Sequence, residues 1–250
     1  MRLHNYLTEN GSIWDDIAKD CSDIIKVYKK TGNVLYRGIN KSKEILRIVP
    51  RPDRIPTHTA KNFHDMFDKL FYKEFGWKAR SEGIFVSRDS KEIEIYGDIF
   101  YFLPCNGYKF IWSKHIEDLY VYLTNGLYKQ FGKTDDLYNT SSFLYNHLYS
   151  ANSEGKGKWV SRTGKEVEHF TNMTDAEKQE YKWIPDKTFE QYMKEFEEAC
   201  EKVVHLYSAT DIKSLLDYDV EAMFKCDFYY LVPEDFYSPK EFIRKLNETT

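Results

Sequence analysis

No stretch of this sequence approaches the ~20 consecutive apolar residues that a membrane-spanning helix needs, and its opening, MRLHNYLTENG, lacks the apolar core of a secretory leader. The expectation is a soluble, cytoplasmic chain. Its four cysteines, Cys21, Cys105, Cys200 and Cys226, have no short paired spacing, which leaves out zinc ribbons and CxxC redox motifs and favours reduced, buried thiols. No HExxH occurs among the seven histidines, so no metal is expected. GxGxxG and GxSxG are missing too, which argues against a dinucleotide-binding Rossmann unit and an α/β-hydrolase. The nearest approach to a phosphate loop, GLYKQFGKT over Gly126 to Thr134, has five residues between its glycines instead of four and continues a helix. Charge of one sign is also lacking: 36 basic and 40 acidic residues are well mixed, with a net charge of -4. No footprint for duplex nucleic acid is present.

Proline (7) and glycine (12) are sparse beside 20 Tyr and 17 Phe, a composition that excludes disorder and implies an ordered core. Apolar residues at helical spacing predict helices over Ser12 to Lys30, ended by Gly32, and over Thr59 to Phe75, ended by Gly76. His58 and His64, near the second helix, read as structural or exposed side chains rather than ligands. Between them lie the strand Asn33 to Gly38 and a proline-punctuated extended segment. The arginines of that segment, Arg47, Arg51 and Arg54, read as a solvated loop or as anion contacts.

The period then changes twice between Gly83 and Pro104: strand Ile84 to Val86, a short helix from Arg88 to Gly97, and strand Asp98 to Leu103. Asn106-Gly107 predicts a hairpin joining that strand to Tyr108 to Trp112. Helices follow over Lys114 to Gly132, Asp135 to Tyr149 and Thr188 to Tyr207, with a Ser/Gly/Lys-rich loop at Ser150 to Gly164 and a capping box at Thr174 to Glu177. The charged residues of the last of these helices read as a solvated face. Strands at Val220 to Lys225 and Phe228 to Val232 and an exposed helix from Pro239 to Leu246 close the chain. The reading is α+β: one domain over residues 1–250, with a mixed, mostly antiparallel split sheet, flanking helices and a mainly helical insertion at about 114–215.

Three polar residues stand beside apolar strands: Arg37 in Leu35-Tyr36-Arg37-Gly38, Ser87 in Phe85-Val86-Ser87, and Glu221 in Asp219-Val220-Glu221. Taken in order, they resemble the arginine, serine and glutamate signature of ADP-ribosyltransferases. Ser87-Arg88-Asp89 stands where that family has Ser-Thr-Ser, and Asp219 where it has Glu or Gln. The resemblance implies NAD as substrate, a macromolecular acceptor, most simply protein, and catalysis by Glu221, Arg37 and Ser87. Arg37 and Gly38 would meet the phosphates, Ser87 the nicotinamide ribose, Tyr96 the nicotinamide ring, and Asp219 would orient the acceptor. The chemistry suits these residue types, because a carboxylate stabilises an oxocarbenium-like ribose and a guanidinium matches phosphate geometry.

Each residue also has a plain structural reading. Arg37 can be a surface ion-pair partner, Ser87 a helix N-cap, Glu221 a solvated residue of an edge strand, and Tyr96 a core ring. The alternative function is a non-catalytic viral structural or host-interaction protein that uses its aromatic residues as an interface.

Overall fold

The computed structural model describes residues 13–40, 43–54, 61–119, 121–122, 159–160, 166–167 and 189–249. The chain forms two units. One gathers the described parts of Met1–Asp53, Glu82–Glu117 and Tyr207–Thr250, the other those of Arg54–Ser81 and Asp118–Leu206. The fold is α+β, and its main sheet lies wholly within the first unit.

That sheet contains β1 (Tyr36–Ile39), β2 (Leu46–Ile48), β3 (Ile84–Ser87), β4 (Asp98–Pro104) and β5 (Lys109–Trp112). It is completed by two C-terminal strands; because two short strands intervene in the second unit, β6 (Trp159–Val160) and β7 (Glu166–Val167), these are β8 (Glu221–Lys225) and β9 (Tyr229–Pro233). The order is β2-β9-β4-β1-β3-β8-β5, with every neighbouring pair antiparallel. Among the described strands no parallel pair occurs, so the expected mixed sheet is antiparallel throughout. Its rungs are uneven. β1 matches β4 over four residue pairs but meets β3 at one, Tyr36 with Ser87.

The first helix of the sequence divides into α1 (Ile13–Asp20) and α2 (Ser22–Thr31). Asn106 occupies the break. Its backbone N–H donates to Asp20 O at 2.7 Å and its side-chain amide to Lys19 O at 3.0 Å, while its Oδ1 accepts from Asp23 N at 3.0 Å. One residue thus serves, through backbone and side chain together, the carbonyls that end α1 and an amide that starts α2. Asn106-Gly107 does not make the expected hairpin, because both edges of β4 are taken, by β1 and β9, and β5 pairs with β8 instead. Gly32 closes α2 in the left-handed conformation (φ 73°), as its position predicts.

α2 is tied to the sheet by Tyr28, which is fully buried. Its hydroxyl donates to Phe102 O at 2.7 Å and accepts from Leu35 N at 3.2 Å, bridging one side of a residue pair whose other side is closed directly by Phe102 N–H donating to Leu35 O at 2.9 Å. Tyr28→Phe removes the bridge and leaves both backbone groups buried without it. Urea unfolding should show a loss of about 1–3 kcal/mol.

In the second unit, α3 (Lys61–Phe75) ends at Gly76 (φ 76°) and is followed by α4 (Ala79–Glu82), whose last residue belongs to the sheet unit. α3 is ion-paired to α6 (Phe189–Val204) through Lys69–Glu197 at 2.7 Å and Lys73–Glu201 at 2.5 Å. Part of α6's charged face is therefore partnered rather than simply solvated, though exposed pairs contribute little. The helix expected over Asp135 to Tyr149, the part of the Lys114 to Gly132 helix beyond residue 122, the loop of 150–164 apart from β6, and the capping box at Thr174 lie outside the described residues, as does His58.

The sheet unit also holds α5 (Ser90–Glu94), α7 (Ile212–Leu215) and α8 (Pro239–Glu248). α8 is not the merely exposed helix expected. Phe242 and Leu246 are fully buried, and Ser238 with Glu241 forms a capping box at its start. No helix among the described residues is long and apolar enough to cross a membrane.

Candidate functional site

The strands carrying Arg37, Ser87 and Glu221 are consecutive neighbours in the sheet, β1-β3-β8, although the sequence separates them widely. Ser87 is in direct register with Glu221 on one side and with Tyr36 on the other. Directly opposed residues of an antiparallel pair project to the same face, so Tyr36, Ser87 and Glu221 share one. Glu221 is half-buried at the start of β8, where its N–H donates to Glu117 O at 2.9 Å. β8 lies between β3 and β5, so the edge-strand reading of Glu221 does not apply.

Ser87 is 2 % exposed. Its Oγ donates to Glu92 Oε2 at 3.2 Å and accepts from Asp89 N at 3.1 Å. The N-cap of α5 is Asp89, whose carboxylate accepts from Lys91 N at 2.9 Å, so Ser87 is not the cap. Desolvation pushes the Glu92 carboxyl above its ordinary range, the acids Asp89, Glu117 and Asp219 push it the same way, and the hydrogen bond from Ser87 opposes them. Asp219 is exposed and paired with Arg88, Nη1 to Oδ1 at 3.2 Å. Tyr36 is buried, which pushes its phenol up to about 12.

Arg37 follows Tyr36, and strand alternation turns it to the opposite face from Ser87 and Glu221. It does not sit beside them as a third side chain of one patch. Its guanidinium enters the seam between β1 and β3, where Nη1 donates to Phe85 O at 2.8 Å, and it lies 5.7 Å from the Tyr229 ring centroid. Its Nε is buried without a hydrogen-bond partner, an arrangement that needs an explanation in a native structure.

Gly38 is held close under α5: a Cβ there would stand 2.5 Å from Ile93 O and 2.9 Å from Tyr96 Cβ. Gly38 therefore lets α5 pack on β1 and bring Glu92 to Ser87. Tyr96 is 55 % exposed at the end of that helix and is not a core ring.

Sequence reasoning missed Glu92, Tyr36 and Arg88. Register reveals Tyr36. The signal for Glu92 was its place in the first turn of a helix whose N-cap, Asp89, follows two residues after Ser87, which aims it back at that residue.

A second polar cluster lies in the other unit, where His64, Asp68 and Ser81 have the composition of a hydrolytic triad. Their geometry is structural. Asp68 accepts from the N–H groups of Arg80 (2.8 Å) and Ser81 (3.1 Å) in the first turn of α4 and from the Ser81 hydroxyl, while His64 Nε2 lies 2.9 Å from Ser81 Oγ. The carboxylate thus caps a helix and accepts the hydrogen bond of the serine hydroxyl, leaving no serine poised as nucleophile against the histidine. Among the described residues no group of three His, Cys, Asp or Glu is arranged to hold a metal ion.

No family model, no curated protein and no solved structure matches this chain.

Proposed function

We propose that the chain is an ADP-ribosyltransferase-like enzyme that uses NAD as substrate and moves ADP-ribose to a macromolecular acceptor, most simply a protein, or to water. One observation carries the reading: Ser87 and Glu221, far apart in sequence, lie in register on neighbouring strands and share one face. In the reaction, the bond between ribose and nicotinamide breaks and its electron pair leaves with the nicotinamide nitrogen. Positive charge develops on the ribose, and the Glu221 carboxylate stabilises it. The acceptor's nucleophile then bonds to the same carbon and gives up its proton.

Arg37 stands apart from that pair: its side chain lies on the opposite face, its Nε is buried, and its guanidinium donates to Phe85 O. Asp219, exposed and already holding the Arg88 guanidinium, is the residue for contact with an acceptor. A cytoplasmic site of action belongs to the same proposal.

The test is incubation with NAD labelled in its adenylate phosphate, with and without cell lysate. Nicotinamide release should accompany label on a macromolecule or free ADP-ribose. Release no greater than that of a Glu221→Ala control would sink the enzymatic reading and favour a non-catalytic interaction protein.

A further inference from the structure

The hydrogen bonds around Ser87 determine what it can offer a bound molecule. A serine hydroxyl has one hydrogen to donate and two lone pairs. Here the hydrogen goes to Glu92 Oε2 (3.2 Å) and one lone pair receives Asp89 N–H (3.1 Å). What remains is a single lone pair, so a group meeting Ser87 in this state must itself be a donor, such as a sugar hydroxyl or an amide N–H.

We propose that Glu92 is a positioning residue that sets the direction of the Ser87 hydroxyl, keeping Ser87 an acceptor for an N–H of the bound molecule, such as that of the nicotinamide carboxamide, while Glu92 is ionised and turning it into a donor when Glu92 is protonated. The inference rests on reading Ser87 and Glu221 as the site. The geometry provides the coupling, since Ser87 touches Glu92 on one side and is in register with Glu221 on the other. The groups facing the Glu92 carboxyl are Asp89 on its own turn, Glu117 after β5, and Asp219 before β8, the last already paired with Arg88. With these acids around it, Glu92 titrates above the ordinary glutamate range.

The sign follows from the hydrogen bonding. Above the Glu92 midpoint the carboxylate can only accept, so Ser87 must donate to it. Below the midpoint the carboxylic acid can donate to Ser87 Oγ, and the serine's hydrogen is released. KM for NAD should therefore rise as pH falls through the midpoint, with kcat changing less.

Two measurements test this. The first needs no catalysis: carbon NMR of labelled glutamate carboxyls across pH, in wild type and Ser87→Ala. The Glu92 midpoint should lie above the usual range and move further up without Ser87, whose hydrogen bond favours the charged form. An unmoved midpoint would overturn the inference.

The second measurement is the pH profile of nicotinamide release from NAD by Glu92→Gln, whose amide donates to Ser87 Oγ as the protonated acid would. KM should be raised about tenfold at high pH, the size of one hydrogen bond, and should be flat through the window where wild type changes. A wild-type profile and KM in the glutamine variant would also overturn it. If wild type turns over no NAD while the midpoint shifts as expected, the NAD reading fails and the Ser87–Glu92 coupling stands. If NAD is turned over and the coupling is absent, the inference alone fails.

Discussion

Glu221→Gln should lower nicotinamide release from NAD by roughly 10²–10³-fold, the cost of removing one electrostatic group aimed at developing charge. The substitution keeps the shape of the side chain, and the backbone of Glu221 retains its bonds in β8 and to Glu117 O. Thermal unfolding should therefore be nearly unchanged, which separates loss of chemistry from loss of fold. KM should move little, because the charge being stabilised exists in the transition state and not in bound NAD. Asp219→Asn makes the contrast. That side chain is exposed and paired with Arg88, so its loss should reduce transfer to an acceptor more than hydrolysis by water. A glutamine variant as active as wild type would leave Glu221 as a strand residue without chemistry.

The largest stability effect is expected where α8 packs on the sheet. Phe242 on α8 is fully buried, with its ring stacked on Tyr101 at 4.0 Å and an interplanar angle of 8°, and the Trp14 ring lies 6.4 Å away. Phe242→Ala removes the stacking partner and opens a cavity between helix and sheet, at a cost of about 3–5 kcal/mol. Set against a total stability of about 5–15 kcal/mol for a domain, this should bring the urea midpoint down sharply. Arg244→Ala, two residues on and exposed, should change stability by no more than about 0.5 kcal/mol. Equal effects at the two positions would mean that α8 is not anchored as described.

Phe242 also illustrates how far local pattern reaches. The helix from Pro239 was legible from its period, but its anchoring was not, because Tyr101 belongs to a strand more than a hundred residues earlier. The strands of the sheet were visible wherever apolar or β-branched runs met a turn, as at Ile84 to Val86 and Asp98 to Leu103. Their partners were less so. Asn106-Gly107 carries a strong hairpin signal, yet it was overridden because β9 and β1 compete successfully for β4. The break between α1 and α2 has the same origin, since the residue that stabilises it lies 83 positions beyond Asp23. β2 is short, at the sheet edge and followed by prolines, and left little trace of a strand.

The candidate site was legible as a sequence of residue types and not as an arrangement. Ser87 and Glu221 meet through strand register, which no spacing in the chain encodes. Glu92 resembled any surface glutamate on a short helix until its carboxyl was found on Ser87. Arg37 stands next to the right strand, but alternation sends its side chain to the other face, and the missing rungs of the sheet let it turn into the seam.

The lone Tyr36–Ser87 rung has a wider consequence. In its backbone pairing the sheet is two ladders, β2-β9-β4-β1 and β3-β8-β5, joined at one residue pair and otherwise through side chains: the Arg37 guanidinium, α5, and core rings such as Phe102 on Phe224. The angle between the ladders is consequently set by side chains, which mutate freely, while each ladder keeps a backbone bonding pattern that does not depend on them. Substitutions among those side chains can thus alter how the two ladders meet at Ser87 without breaking the backbone pairing within either.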